Sequence, residues 1–389
     1  MRQLRRTFAK VSEDRLFVIL LLTLPLLLVV HPLPAAVLPS KLIGLIHFDT
    51  LLALTGLMLL SRGIEDSGFL HRISDWLLLR GHSARQIVAW LILCSAGLAA
   101  VITNDVALFI VIPIAVILCR VLRLPLLRVV VFLALAVNAG SAASPIGNPQ
   151  NLLLWQTGEL PFWQFTLQLL PLGILLLAIV LAFAWFAFSA STPAQHQSAL
   201  ATPVMVQRQR LFWGSLVGYP LFILALEYGQ GLAGVFIIAL VYAIRNRPIL
   251  FGIDWQLLLV FALMFINLGL LAELPVTQTG LQILLQVPGE SFIASALLSQ
   301  LISNVPATIY LQSALLQDNA SGWLAIAYGV NIGGFGFILG SMANLIALRL
   351  VRKSLPAQHP TWGEFHRWSV PVFVVSLGGG FLLLTFWSY

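Results

Sequence analysis

Asn138-Ala139-Gly140-Ser141-Ala142-Ala143-Ser144-Pro145-Ile146-Gly147-Asn148-Pro149-Gln150-Asn151 interrupts an apolar run that begins with Val129 to Val137 and resumes at Leu152 to Trp155. Its prolines and glycines forbid a continuous helix, and non-helical backbone at membrane depth survives only where protein buries it or it lines a wet cavity. A polar break inside a hydrophobic span is therefore a candidate binding site.

The stretch has an echo downstream. Residues 331–344 read Asn-Ile-Gly-Gly-Phe-Gly-Phe-Ile-Leu-Gly-Ser-Met-Ala-Asn, and Asn331, Gly333, Gly340 and Asn344 match Asn138, Gly140, Gly147 and Asn151 at one offset of 193 residues. Upstream of each, Thr103-Asn104-Asp105-Val106-Ala107 matches Ser303-Asn304-Val305-Pro306-Ala307 at an offset of 200. The chain thus reads as two copies of one membrane unit. The first covers 1–188, with a hairpin tip near 103–105 and a break at 138–151. A cytoplasmic linker follows at 189–210 and an extra transmembrane helix at 211–231. The second copy covers 232–389, with its tip near 303–306 and its break at 331–344.

Composition sets the class. Of 389 residues, 59% are hydrophobic and 9% charged, against roughly 25% charged in soluble domains, so the expected fold is an all-α polytopic protein of the lipid bilayer. The net charge of +7 would point to nucleic acid in a soluble chain; here the positive-inside bias accounts for it, and no nucleic-acid partner is expected. Cys94 and Cys119 lie in apolar runs and form neither a disulfide framework nor a metal set. The N-terminal Arg5-Arg6 followed by Leu16 to Val30 and Pro34-Ala35-Ala36 imitates a twin-arginine signal, but reads better as a first transmembrane helix with its basic end in the cytoplasm.

Spans are predicted near Leu16 to Leu38, Leu42 to Leu60, Phe162 to Phe188, Leu211 to Leu226, Leu232 to Ile244, Leu257 to Leu271 and Pro371 to Trp387, with amphipathic surface helices at Gly68 to His82 and Leu281 to Val287. Gln86 to Ile102 and Val106 to Leu118 flank the first tip; arms of about 13 to 17 residues, roughly 20 to 26 Å, suit a hairpin that turns around inside the membrane. Two short spans with an external turn are the alternative. Phe292 to Leu316 forms the second hairpin. In this topology every Lys and Arg except Lys41 is cytoplasmic, the N-terminus is inside and the C-terminus outside. An odd number of crossings inverts the second copy, and the two tips meet near the midplane.

Tips and breaks present free helix ends: N–H groups that suit an oxyanion, and carbonyls that, with Asn and hydroxyl oxygens, suit Na⁺. The first copy offers Thr103, Asn104, Asp105, Ser141, Ser144, Asn148 and Asn151; the second offers Ser303, Asn304, Thr308, Asn331, Ser341 and Asn344. Any of these read alone is equally a helix cap or an interhelical tie.

Together, Thr-Asn-Asp-Val-Ala at 103–107, Pro-Ile-Gly-Asn-Pro-Gln-Asn at 145–151 and Ser-Asn-Val-Pro-Ala at 303–307 resemble the ion-transporter superfamily, which includes arsenite permeases, NhaD-type antiporters and citrate–metal symporters. Over nearly the whole length the chain is similar to its YbiR-type bacterial inner-membrane permeases. The resemblance implies inverted repeats with two re-entrant hairpins, a homodimer, a mobile transport domain and a location in the bacterial inner membrane. It implies secondary active transport of a small ion, carboxylate-like or arsenite-like, coupled to H⁺ or Na⁺; the alternatives are a Na⁺/H⁺ antiporter and, more remotely, a channel. Dicarboxylate carriers have Ser-Asn-Thr at both tips; here Asp105 and Val305 stand in the third place, which speaks against a carboxylate held symmetrically.

The chain has no Gly-x-Ser-x-Gly, no His-Glu-x-x-His and no nucleotide-binding loop, so an enzyme is not expected, nor a cofactor other than Na⁺ bound near Asn104, Asp105 and Asn148. Asp105 is the one acidic residue assigned to the midplane, where an unpaired carboxylate is costly. It is either an N-terminal cap or the group that carries the proton or neutralises Na⁺.

Overall fold

The computed structural model describes residues 15–30, 38–68, 83–158, 160–189, 208–284, 290–315, 322–354 and 362–387, and among these every regular element is helical. In chain order they are α1 (Arg15–Val30), α2 (Leu38–Gly44), α3 (Phe48–Asp66), α4 (Ala84–Val101), α5 (Asn104–Leu122), α6 (Leu126–Ala142), α7 (Pro149–Thr157), α8 (Phe162–Ala187), α9 (Gln209–Glu227) and α10 (Gly231–Arg245). They continue as α11 (Pro248–Gly252), α12 (Trp255–Ala272), α13 (Pro275–Leu284), α14 (Glu290–Ile302), α15 (Asn304–Leu315), α16 (Trp323–Gly333), a 3-10 turn (Ile338–Gly340), α17 (Met342–Ser354) and α18 (Trp362–Trp387).

Two helices form the centre. From Val129 to Ala142, α6 is buried on every side, and α16 is buried from Ile326 to Gly333. A helix apolar all round belongs inside a protein, and both end in the predicted breaks. Each packs closely on the first arm of its hairpin, α6 on α4 and α16 on α14. Glycine permits the contact: a Cβ on Gly140 would lie 2.0 Å from the Ala96 carbonyl oxygen, and one on Gly333 would lie 2.3 Å from Ser299 Cβ. Beyond each break the chain crosses over. Helix α7 packs on α15, and α17 packs on α5, so the segment following each break meets the second arm of the other hairpin.

Around this centre, α3 packs on α9 and α10, and α1 on α12. Large apolar side chains cover the outer faces, among them Leu22 and Leu26 on α1, Trp213 and Leu221 on α9, Phe236 and Ile244 on α10, and Phe386 on α18. A soluble surface would not leave such continuous apolar faces in water. Five described helices, α4, α8, α9, α12 and α18, are long and apolar enough to cross a membrane, or six crossings if the bent α2–α3 pair counts as one. The chain is a multi-pass membrane protein.

Several predicted elements need correction. The span expected at Leu42 to Leu60 is two helices bent by 50°, because the chain unwinds from Gly44 to His47 and Phe48 N–H turns back to the Ile46 carbonyl. Of the span expected at Leu16 to Leu38, α1 covers Arg15 to Val30 with Pro25 inside, and residues 31–37 lie outside the described residues. The arms of the first hairpin have 18 and 19 residues, longer than expected, and α4 alone could span a bilayer. The unwound part of the first break is confined to 143–148, since α6 continues through Asn138 to Ala142. The surface helix expected at 68–82 and most of the linker at 189–210 lie outside the described residues, as does the end of the one expected at 281–287.

Candidate functional site

The polar residues of the two breaks form one buried network. Asn148 caps α7: its Oδ1 accepts from Asn151 N–H at 2.9 Å, with Pro149 occupying the first helical position, where no N–H is needed. Its Nδ2 donates to Ser141 Oγ at 3.1 Å and to Asn331 Oδ1 at 2.9 Å. Asn331 Nδ2 in turn donates to Asn151 Oδ1 at 2.7 Å and to the Ala327 carbonyl at 2.7 Å. Asn138, on the last turns of α6, reaches the second break, where its Nδ2 donates to Asn344 Oδ1 and to the Gly334 carbonyl, both at 3.1 Å, and its Oδ1 accepts from Ser341 Oγ at 3.2 Å.

These bonds come in matched pairs. The Asn331-to-Asn151 bond becomes the Asn138-to-Asn344 bond when each residue is exchanged for its counterpart 193 positions away, and Asn148-to-Asn331 becomes Ser341-to-Asn138. Within each break the pattern repeats as well: Asn151 Nδ2 holds the carbonyls of Ser141 and Ser144, and Asn344 Nδ2 holds those of Gly334 and Phe337. Unwound backbone carbonyls buried in a membrane must find donors, and these two asparagines supply them.

Of the predicted residues, Ser141, Ser144, Asn148, Asn151, Asn331, Ser341 and Asn344 are buried here. Both amide hydrogens of Asn138, Asn148, Asn151, Asn331 and Asn344 are engaged by protein groups. These asparagines hold the breaks in shape.

The tips differ from the breaks in this respect. Asn104 opens α5, and its Oδ1 accepts from Asp105 N–H at 2.8 Å; Asn304 opens α15, and its Oδ1 accepts from Val305 N–H at 2.9 Å. Those backbone donors fix each amide's orientation, since only the oxygen can accept. Among the described residues neither Nδ2 has a hydrogen-bond partner, although Asn104 is 4% exposed and Asn304 2%. Each tip therefore combines the positive end of a helix with an unengaged amide donor, an arrangement that suits an anion.

Thr103 is buried at the start of α5 without a side-chain capping bond, and Thr308 donates to the Asn304 carbonyl at 2.7 Å. Ser303 stands at φ 76°. Asp105, in the first turn of α5, is half-buried and forms no ion pair among the described residues. Its electrostatic neighbour is another acid, Asp254 at the start of α12, whose charge reaches it.

Tip and break are physically joined. Asn104 N–H donates to the Gly147 carbonyl at 2.8 Å. In the second copy Gln300 makes the connection, its Nε2 donating to the Gly333 carbonyl at 2.5 Å and its Oε1 accepting from Phe337 N–H at 2.6 Å. Gln300 is not among the residues expected from the sequence; its signal there is a glutamine in an apolar arm three residues before the tip. Asn138 is likewise absent from them, despite its match to Asn331. No group of three or more His, Cys, Asp or Glu side chains suited to a metal occurs among the described residues.

Comparison with known proteins agrees with this architecture. The family described as citrate transporter matches residues 13–323. The chain is 38% identical to inner membrane protein YbiR of Escherichia coli over 348 residues, 89% of this chain and 90% of that protein. It is 31% identical to an uncharacterized transporter of Methanocaldococcus jannaschii over 320 residues, 80% and 83% of the two chains. A putative transporter arsB of Dictyostelium discoideum is 29% identical over 127 residues, 33% of this chain and 23% of that one. With the family match covering most of its length, the chain belongs to the citrate transporter family, within the ion-transporter superfamily.

Proposed function

We propose that the protein is a secondary active transporter of a small anion, a carboxylate or an oxyanion, driven by H⁺ or Na⁺ through alternating access. The observation that carries this reading is the pair of unengaged amide donors, Asn104 Nδ2 and Asn304 Nδ2, at the positive ends of α5 and α15. A Na⁺ site would need oxygens there, and Oδ1 of both residues is already turned to its own backbone. An anion at the first tip meets the carboxylate of Asp105, so binding there requires that carboxylate to be protonated or paired with a cation. That requirement is a coupling device: driving ion first, anion second.

The two units are inverted repeats in this reading. Exchange of the halves maps the asparagine bonds and the α7–α15 and α17–α5 contacts onto each other, as a pseudo-two-fold axis would, and an odd number of crossings between the copies would lay that axis in the membrane plane. The location is the inner membrane with the N-terminus cytoplasmic.

Flux into proteoliposomes tests the proposal, with citrate, smaller carboxylates, arsenite and other oxyanions offered against imposed pH or Na⁺ gradients. One of these anions should accumulate. Asn304→Asp keeps the Oδ1 bond to Val305 N–H but replaces the amide donors by a charged acceptor, and should weaken anion uptake by roughly 5- to 150-fold with normal membrane insertion. Asn104→Ala should weaken it similarly. Na⁺/H⁺ exchange that needs no anion would establish the antiporter instead.

A further inference from the structure

Away from the breaks, α3, α9 and α10 enclose a groove of about 410 Å³. Most of its length is apolar, lined by Leu60, Gly218, Leu221, Phe222 and Ile238, and one end is polar, with Arg210, Arg245 and Asn246 beside Ser215 and Tyr242. Beneath the groove the wall is tied together: Ser61 Oγ bonds Tyr219 OH, and Ser215 Oγ bonds Tyr242 OH at 2.7 Å. Gly56 and Gly63 bring α3 against Phe222 and against Ser215 and Tyr242. The groove is therefore a built concavity in a rigid helix trio.

Among the described residues its arginines form no ion pair. Arg210 and Arg245 are exposed, and the ion pairs among the described residues use Lys41 and Arg62 instead. Arg210 lies in the first turn of α9, which has no side-chain cap, so a cation stands at the positive end of a helix dipole, a mismatch that an anion relieves. A second copy of the chain fits poorly: a two-fold axis along the membrane normal would bring the same arginines of both copies to one level, cation facing cation. An amphiphile with a negative head satisfies both ends.

We infer that this groove is a binding site for one anionic phospholipid, with the phosphate held by Arg210 and Arg245 and an acyl chain lying along Leu221, Phe222 and Ile238. Basic pockets between membrane helices recognise such headgroups, and the inference does not depend on what the protein transports.

Native mass spectrometry of the delipidated full-length protein in detergent tests it, with dioleoyl phosphatidylglycerol and dioleoyl phosphatidylcholine titrated in parallel. The wild type should bind one phosphatidylglycerol in preference to phosphatidylcholine. Arg210→Gln with Arg245→Gln should weaken phosphatidylglycerol about 30-fold, to the level of phosphatidylcholine. Gly214→Leu fills the groove, since a Cβ there meets nothing within 4 Å, and should weaken both lipids. Equal binding of the two lipids by the wild type, or phosphatidylglycerol binding unchanged in the double variant, overturns the proposal. So does a Gly214→Leu protein that keeps both lipids but changes from dimer to monomer, which would assign the groove to a second copy.

Discussion

The two hairpins share one plan and differ in chemistry. Both open their second arm with an asparagine whose Oδ1 caps the next backbone N–H, and both lie against a break helix through a glycine. The first has arms of 18 and 19 residues, an acid beside the asparagine, and a backbone bond from its tip to the Gly147 carbonyl. The second has Val305 and Pro306 in place of acid and valine, and a glutamine bridging to its break. Duplicated architecture conserves what holds the backbone of a break together. The tip residue that meets charge is free to differ, and in the mechanism proposed above that difference would leave one tip receptive to an anion and make the other conditional on a cation.

The largest effect should come from the feature the halves share. At Gly140 the obstacle to a Cβ is a carbonyl of the α4 backbone, 2.0 Å away, whereas at Gly333 the nearest atom is the Ser299 side chain. Gly140→Ala should lower stability by at least about 3 kcal/mol, and Gly333→Ala by about 1 to 3 kcal/mol, read as thermal unfolding in detergent. Equal losses would mean the two seams are equally rigid.

The next sharpens the chemical difference. Asp105→Asn should preserve the tip, because the Asn104 cap and the Gly147 tie do not use the carboxylate. It should reduce gradient-driven accumulation by roughly 5- to 150-fold, the size of an ordinary coupling free energy, while anion exchange in the absence of a gradient continues. Accumulation with an unchanged dependence on pH and Na⁺ would reduce Asp105 to a surface of the helix start.

How much of this was legible in sequence follows from what each feature depends on. The first break was readable because Pro145 cannot sit in a helix interior and Pro149 suits only a helix start, although Gly140 stays within α6, and the second break and its paired asparagines because an ungapped offset needs no structure. The bend at Gly44–His47 was not, since a lone glycine and a histidine, without a proline, are tolerated inside a helix and do not by themselves mark a break. Nor could sequence tell that Asn148 and Asn344 are occupied while Asn104 and Asn304 keep free donors. All of them are buried asparagines; the Asn148 amide is spent on Ser141 and on Asn331 of the opposite break, that of Asn344 on carbonyls of its own break, and which donors find partners is a property of the packed halves.

The smallest effect separates the tips by backbone alone. Thr103 enters α5 from φ −64°, ordinary extended backbone, but Ser303 enters α15 at φ 76°, where a side chain costs roughly 1–2 kcal/mol. Ser303 makes a weak 3.5 Å contact to Asn304 Oδ1, too long to repay that cost. Glycine removes the steric penalty and adds roughly 0.5–1 kcal/mol of chain entropy to be lost on folding, so Ser303→Gly should be neutral or stabilising by up to about 1 kcal/mol. At Thr103 no penalty exists to be relieved, and the same entropy makes Thr103→Gly destabilising by about 1 kcal/mol. The melting temperature should therefore fall in Thr103→Gly and stay level or rise in Ser303→Gly. If Ser303→Gly instead lowers the melting temperature as far as Thr103→Gly does, the second tip enters its helix as the first does, and the inequality between the halves rests on Asp105 and Gln300 alone.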